Sequence, residues 1–186
     1  MVELGDEELS WIARSRRGDH EAFEALVRRY QQMIQALAYR MTGSMTEAED
    51  LAQETFITAF ESLASFRGES KFSSWLYRIA ANYCLNWRSY MQRRDRAYGA
   101  WQKEMAAGPN VSPATFPLSQ EVQSALMKLP PKQRAAVVLT TYDGLSHAEA
   151  AQVLGCSETM VSWRIFAARR KLKRLLARFA KGGAGE

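Results

Sequence analysis

GLSHAEAAQVLGCSETMVSWRIFAARRKLK, residues 144–173, reads as two helices joined by a three-residue turn. Ser146 precedes Ala148, Ala150, Ala151, Val153 and Leu154, and Glu149 follows it by three residues, the capping-box spacing that satisfies free amides at a helix start. Gly155 ends that helix. Ser157 can cap a second one, whose apolar positions Val161, Ile165, Ala168, Leu172, Leu175, Leu176 and Phe179 keep the helical period of one buried face. Two short helices with a glycine in a tight turn predict a helix-turn-helix that binds duplex DNA.

Charge supports that reading. Between Arg164 and Lys181 there are eight Lys or Arg residues and no acid, a density suited to phosphate contact and counterion release. A basic run alone reads more plainly as a solvated face; here it continues a capped helical pair. On a helical wheel with Val161, Ile165, Ala168 and Leu172 inward, Thr159, Trp163, Phe166 and Arg170 point outward, flanked by Ser162 and Arg169. Trp163 and Phe166 admit three readings: contact with thymine methyls, cover by the rest of the module, or an apolar patch for a protein partner.

With 186 residues the chain can form one large or two small domains with buried cores. No apolar run approaches the ~20 residues of a membrane span, and the acidic start MVELGDEELS lacks a signal peptide's basic and apolar regions, so a cytoplasmic protein without membrane insertion is expected. Cys84 and Cys156 have no zinc or disulfide spacing and read as core or near-core residues. The net charge of +5 conceals an asymmetry. Residues 1–60 carry 6 basic and 11 acidic groups, residues 61–96 carry 7 and 3, and residues 131–181 carry 10 and 3. Two basic zones for nucleic acid and one acidic surface for something else follow.

Helical periodicity organises the rest. Glu7–Arg17 forms a short helix closed by Gly18, and Asp19 caps a long one with Phe23, Leu26, Val27, Tyr30, Ile34, Leu37, Ala38 and Met41 inward. Thr46 with Glu49 reads as a second capping box, opening a helix to about Ser65 with Leu51, Ala52, Phe56, Ala59, Phe60 and Leu63 inward. Its other face carries Glu47, Asp50, Gln53, Glu54 and Glu61. No nucleophile, metal-spaced histidine or phosphate loop accompanies these acids, so a docking face is expected rather than catalysis.

From Phe66 to Arg96, rings at helical spacing alternate with Arg67, Lys71, Arg78, Asn82, Arg88, Arg93 and Arg94. Trp75, Ile79 and Tyr83 are the first candidates for core. The mixture of rings and cations also suits single-stranded nucleic acid, where bases stack while cations hold the backbone. Three of the five prolines fall within 97–117, which reads as a linker on which Trp101 and Phe116 rest against something. Helices Leu118–Lys128 and Pro131–Tyr142 then complete a four-helix C-terminal module. The expected fold is all-α, with two small helical domains, 1–96 and 118–181, a flexible linker at 97–117, and a frayed tail at 182–186.

Four motifs in order now point to a family. Asp50-Leu51-Ala52-Gln53-Glu54-Thr55-Phe56, Phe66-Arg67-Gly68 with Phe72-Ser73-Ser74-Trp75-Leu76-Tyr77-Arg78-Ile79-Ala80, Leu129-Pro130-Pro131-Lys132-Gln133-Arg134 and the helix-turn-helix closely resemble the extracytoplasmic-function sigma factors, subunits of bacterial RNA polymerase. The resemblance covers about Glu7 to Leu176. It implies that Asp50, Gln53 and Glu54 dock on the polymerase clamp, and that Arg67, Lys71, Trp75, Arg78 and Asn82 capture the melted strand at the minus-ten element. It implies further that Ser157, Thr159, Ser162, Trp163, Arg164, Phe166, Arg169 and Arg170 read the minus-thirty-five duplex. Met160, Ser162 and Trp163 depart from the small and basic residues usual there. The partners implied are core RNA polymerase, promoter DNA and an anti-sigma factor; no cofactor or metal is implied. The rival readings are a helix-turn-helix regulator that acts without core polymerase, and an enzyme. Against the enzyme, His20 and His147 sit just behind helix caps without a nucleophile.

Overall fold

In the computed structural model, which describes residues 6–87 and 119–182, every regular element is helical. The expected linker at 97–117, with Trp101 and Phe116, and Arg88, Arg93 and Arg94 lie outside the described residues, as does the tail beyond Gly182. The N-terminal half contains α1 (Asp6–Ser15), α2 (His20–Thr42), α3 (Met45–Ser62) with a 3₁₀ turn at Leu63–Ser65, and α4 (Phe72–Leu85). The C-terminal half contains α5 (Gln120–Met127), α6 (Pro131–Val137) running into a π-helical turn at Val138–Tyr142, α7 (His147–Leu154) and α8 (Glu158–Gly182).

Local chemistry sets most of these boundaries. Asp19 starts α2, its carboxylate accepting from Ala22 N at 3.1 Å. Gly43 closes α2 in the left-handed region at φ 76°, where its amide bonds Tyr39 O. The next helix starts immediately, and Ser44 caps it by accepting from Glu47 N. The expected Thr46–Glu49 box is therefore wrong. Ser44 and Glu47 have the same spacing, and Ser44 is the residue left extended when Gly43 ends α2. Ser119 caps α5 in the same way, and Pro131 occupies the first turn of α6.

Helices α2, α3 and α4 pack mutually, with α1 against α2. Their core holds Leu26, Ile34, Leu37, Leu51, Leu63, Phe72 and Leu76, while the edge-to-face and tilted rings of Phe66, Phe72 and Trp75 close one end at 5.3–5.5 Å. On α4 the inward set is Phe72, Leu76, Tyr77, Ala80, Ala81 and Cys84. Trp75, Ile79 and Tyr83, expected there first, are only half-buried and pack on the rim of that core. The aromatic positions are shared between two faces of α4, which period alone does not rank.

The C-terminal half wraps α8 with α5, α6 and α7. Leu126, Leu129, Val137 and Ala168 form one small core, with Val122 and Leu172 at its edge. Ala135, Ala136, Val138, Leu139, Ala150, Val161 and Ile165 instead join the core of the N-terminal half, so apolar contact runs unbroken from one half to the other.

Candidate nucleic-acid interface

The helix-turn-helix forms as the sequence predicts. Ser146 Oγ accepts from Glu149 N at 3.2 Å and Glu149 Oε2 accepts from Ser146 N at 2.9 Å, which completes the capping box. Gly155 terminates α7 at φ 58°, and Ser157 Oγ accepts from Met160 N at 3.2 Å to start α8. A further tie between the two helices, His147 Nδ1 to Ser162 Oγ at 2.9 Å, sets their relative placement.

Val161, Ile165 and Ala168 face inward, whereas Ser157, Thr159, Ser162, Trp163, Phe166, Arg169 and Arg170 are exposed. Trp163 is 59% and Phe166 68% exposed, so the module does not cover them, and that one of the three readings falls. With Met160, one turn earlier and also exposed, they form an apolar stripe at the N-terminal end of α8, beside Arg169 and Arg170. Arg164 stands apart from the other candidates. It is half-buried, and its guanidinium lies 3.2 Å from Cys156 Sγ inside the turn, which suits it to bracing the motif.

On α4 and the loop before it, Arg67, Arg78 and Asn82 are exposed, with Trp75 half-exposed beside them. Lys71 is exposed as well, but Nζ lies 3.3 Å from Glu149 Oε1 on α7. The first helix of the helix-turn-helix therefore reaches the start of α4. Tyr83 hydroxyl bonds Thr58 Oγ1 at 2.7 Å and fixes α4 on α3.

The acidic face of α3 borders an open groove against α2, with a volume of about 520 Å³. Phe23, Val27, Phe56, Ile57 and Phe60 make its apolar floor, and Glu24, Glu49, Gln53 and Glu61 its polar rim. Of the expected docking residues Gln53 lines the groove, while Asp50 and Glu54 lie outside its lining. Periodicity assigns Phe56 to the core, and Ile57, 46% exposed, breaks the polar pattern of this face. That exposed isoleucine is the one sequence signal for the groove.

The sequence reading misses the polar contacts between the halves. Arg40 on α2 bonds Asp143 after the π-helical turn at 3.1 Å, with side chains only 14% and 5% exposed, and its guanidinium covers the Tyr142 ring at 5.1 Å. Burial pushes the Asp143 carboxyl up to about 7, an effect that Arg40 opposes. Tyr77 packs nearby, and burial together with Asp143 raises its hydroxyl above the usual tyrosine range. Arg134, inside the C-terminal half, donates to Met41 O across the contact and to Met127 O and Leu129 O at 2.9 and 3.1 Å. Gln123 donates to Tyr39 O at 3.1 Å. These partners are separated by up to 103 residues, which no local pattern links.

Among the described residues, no three His, Cys, Asp or Glu side chains gather in a way that would hold a metal ion, and no helix is long and apolar enough to cross a membrane. Burial pushes the Cys84 thiol up to about 12, far from a reactive thiolate.

Comparison with known proteins accounts for the arrangement. Residues 26–96 match the model of sigma-70 region 2, and residues 119–172 match that of sigma-70 region 4. The chain is 36% identical over 176 residues to the RNA polymerase sigma-H factor of Pseudomonas aeruginosa, covering 89% of this chain and 91% of that one. It is 35% identical over 177 residues to the ECF RNA polymerase sigma factor SigW of Bacillus subtilis, covering 89% and 94%. Its fold is similar to that of CnrH in complex with the cytosolic domain of CnrY, with a TM-score of 0.66, 30% identity and 93% and 99% of the two chains covered. It is also similar to the sigma factor RpoE in complex with the anti-sigma factor NepR from Bartonella quintana, with a TM-score of 0.65, 26% identity and 83% and 96% covered. The chain belongs to the extracytoplasmic-function sigma factors of bacterial RNA polymerase.

Proposed function

We propose that this chain is an alternative sigma factor, acting in the cytoplasm, that binds core RNA polymerase and directs it to specific promoters. Residues 1–96 serve as the polymerase-docking and strand-capture domain, 97–117 as the linker, and 118–181 as the duplex-reading domain. The observation that carries this reading is the presence on one chain of two separate faces that carry exposed cations beside rings. The exposed cations and half-exposed Trp75 of α4 suit an unpaired strand, whose extruded base costs a few kcal/mol of unstacking to be offset by contacts. The exposed face of α8 suits the major groove. A regulator acting alone has no use for the first of these.

In this mechanism the chain performs no covalent chemistry. Asp50, Gln53 and Glu54 dock on the polymerase, Arg67, Lys71, Trp75, Arg78 and Asn82 hold the melted minus-ten strand, and Ser157, Thr159, Ser162, Trp163, Phe166, Arg169 and Arg170 read the minus-thirty-five duplex. Arg164 supports that face from behind. The sigma factor RpoE, solved in complex with the anti-sigma factor NepR, supports a protein inhibitor for this chain too. The exposed Trp163–Phe166 pair then serves DNA and that inhibitor in turn.

Reconstitution tests the reading: core polymerase with this chain transcribes from linear promoter templates that core alone leaves silent. Asp50→Lys abolishes core pull-down while helix content is unchanged. Duplex binding that is independent of core and responsive to a small ligand would establish the rival regulator. Trp163→Ala weakens promoter binding, inhibitor binding or both; two unchanged affinities would remove the residue from the interface.

A further inference from the structure

The contact between the halves ties up Lys71 of the strand-capture set while Arg67, Arg78 and Asn82 stay exposed. Helix α7 packs along α4, while the reading face of α8 stays open. Glu149 uses one carboxylate oxygen to close its own helix cap and the other to hold Lys71 at 3.3 Å. A single strand that takes Lys71 through a phosphate competes with that carboxylate, since both are anions drawn to the same ammonium group and repel one another. Behind this exposed pair, Arg40–Asp143, Arg134–Met41 O and Gln123–Tyr39 O cross the contact.

The make-up of the contact suits reversal. Its apolar part, where Ala136, Leu139 and Ala150 join the core of the N-terminal half, resists separation, whereas the buried ion pair returns both charges to water when the surfaces part, which lowers the cost of opening. The only covalent connection runs through residues 88–118, and that many residues reach about 100 Å when extended, so it permits separation.

We infer that the chain closes on itself as an autoinhibited state: the C-terminal half latches onto α2 and α4 through Arg40–Asp143 and Lys71–Glu149, with Glu149 standing in for a strand phosphate, and strand capture requires the latch to open. The inhibitory meaning rests on α4 being the strand-capture helix. The closure itself does not.

Two measurements on the full chain separate these points. Spin labels are placed at Ala64 and Gln152, both exposed and outside the proposed binding faces, with Cys84 and Cys156 changed to Ala. Pulsed electron resonance on the free protein gives one narrow, short distance for the closed chain. Arg40→Met leaves Asp143 without its partner, fits the same helix position, and shifts the distance to a long, broad distribution. In parallel, fluorescence anisotropy measures binding of a labelled dT20 single strand. Arg40→Met removes a positive charge yet binds dT20 at least threefold more tightly, a direction that bulk charge does not produce.

Should Arg40→Met disturb folding, Glu149→Gln loosens the exposed half of the latch while a glutamine preserves the α7 cap, and Glu158→Gln on α8 serves as the control for loss of a negative charge. A broad, long distance in the parent protein would overturn the closure. Opening in either variant without tighter dT20 binding, beyond the control's change, would overturn its inhibitory role. If Lys71→Ala and Arg78→Ala leave dT20 binding unchanged, the strand-capture reading of α4 fails instead, whatever the distances show.

Discussion

Arg134 is 6% exposed, yet it keeps its charge by donating to backbone carbonyls of α2, the end of α5 and the loop that follows. A Lys in its place has the charge but lacks the planar fork that reaches three carbonyls at once. Arg134→Met leaves these acceptors unpaired and costs about 3 kcal/mol, read as a lower urea midpoint. Asp143 makes a different prediction. Its carboxyl lies at about 7 against an ordinary 3.8, so the folded form holds the proton more tightly than the unfolded form. The stability this group contributes is full below about pH 4 and is lost as pH rises through about 7. Arg40 of α2, Tyr77 of α4 and Tyr142 face it, and the raised Tyr77 hydroxyl keeps its proton in that window. Urea midpoints therefore fall between pH 5 and pH 7 and level off above, and Asp143→Asn removes that slope. Asp19 and Glu149, whose carboxyls are held below their usual range by helix-cap bonds and by Arg14 or Lys71, act with the opposite sign and only at lower pH.

At the scale of elements, the α7–α8 turn depends on one left-handed residue. Nothing lies within 4 Å of a Cβ built on Gly155, so Gly155→Ala costs backbone strain alone, about 1 kcal/mol. That lowers the melting temperature by about 3 °C. Gly43 differs, because at φ 76° a Cβ would also meet the Met127 side chain of α5 at 3.3 Å, where the two halves approach closely. Gly43→Ala therefore costs more than Gly155→Ala in the same melting experiment. On α8, Arg170→Ala lowers the slope of log K against log salt for duplex binding by about one, as loss of a single phosphate contact requires. An unchanged slope takes Arg170 away from the backbone. The π-helical turn at Val138–Tyr142 shows how one irregular element places a residue: Asp143 N bonds Val138 O and Leu145 N bonds Leu139 O, bringing Asp143 against Arg40. A straight helix to Tyr142, as periodicity suggests, gives no account of that placement.

For the whole molecule, the continuous core predicts shared stability. The slowest-exchanging amides of α4 and of α6 open with the same free energy in hydrogen exchange of the closed parent, and Arg40→Met, which parts the halves, separates the two values. Distinct free energies in the parent protein would show two independent folding units. An inhibitor that binds the closed form adds its binding free energy to the latch, so variants that open the chain bind that inhibitor more weakly by the same factor that favours opening.

The helices, most of their caps, the helix-turn-helix and the family were legible in the sequence because each depends on residues a few positions apart. Ser146 with Glu149, Gly155 and Ser157 declare themselves by spacing, and the exposed face of α8 follows from which positions are apolar. Local rules ran out where two patterns had equal spacing, as with Ser44–Glu47 and Thr46–Glu49, where the end of the preceding helix made the choice. Only the tertiary structure decided that Lys71 meets Glu149, that Arg40 meets Asp143 and that Arg134 is buried. These partners are 78, 103 and, for Met41 O, 93 residues apart, and their pairing depends on how two helical surfaces fit together. A charge that reads as solvated in the chain is, in the folded molecule, part of what holds its halves together.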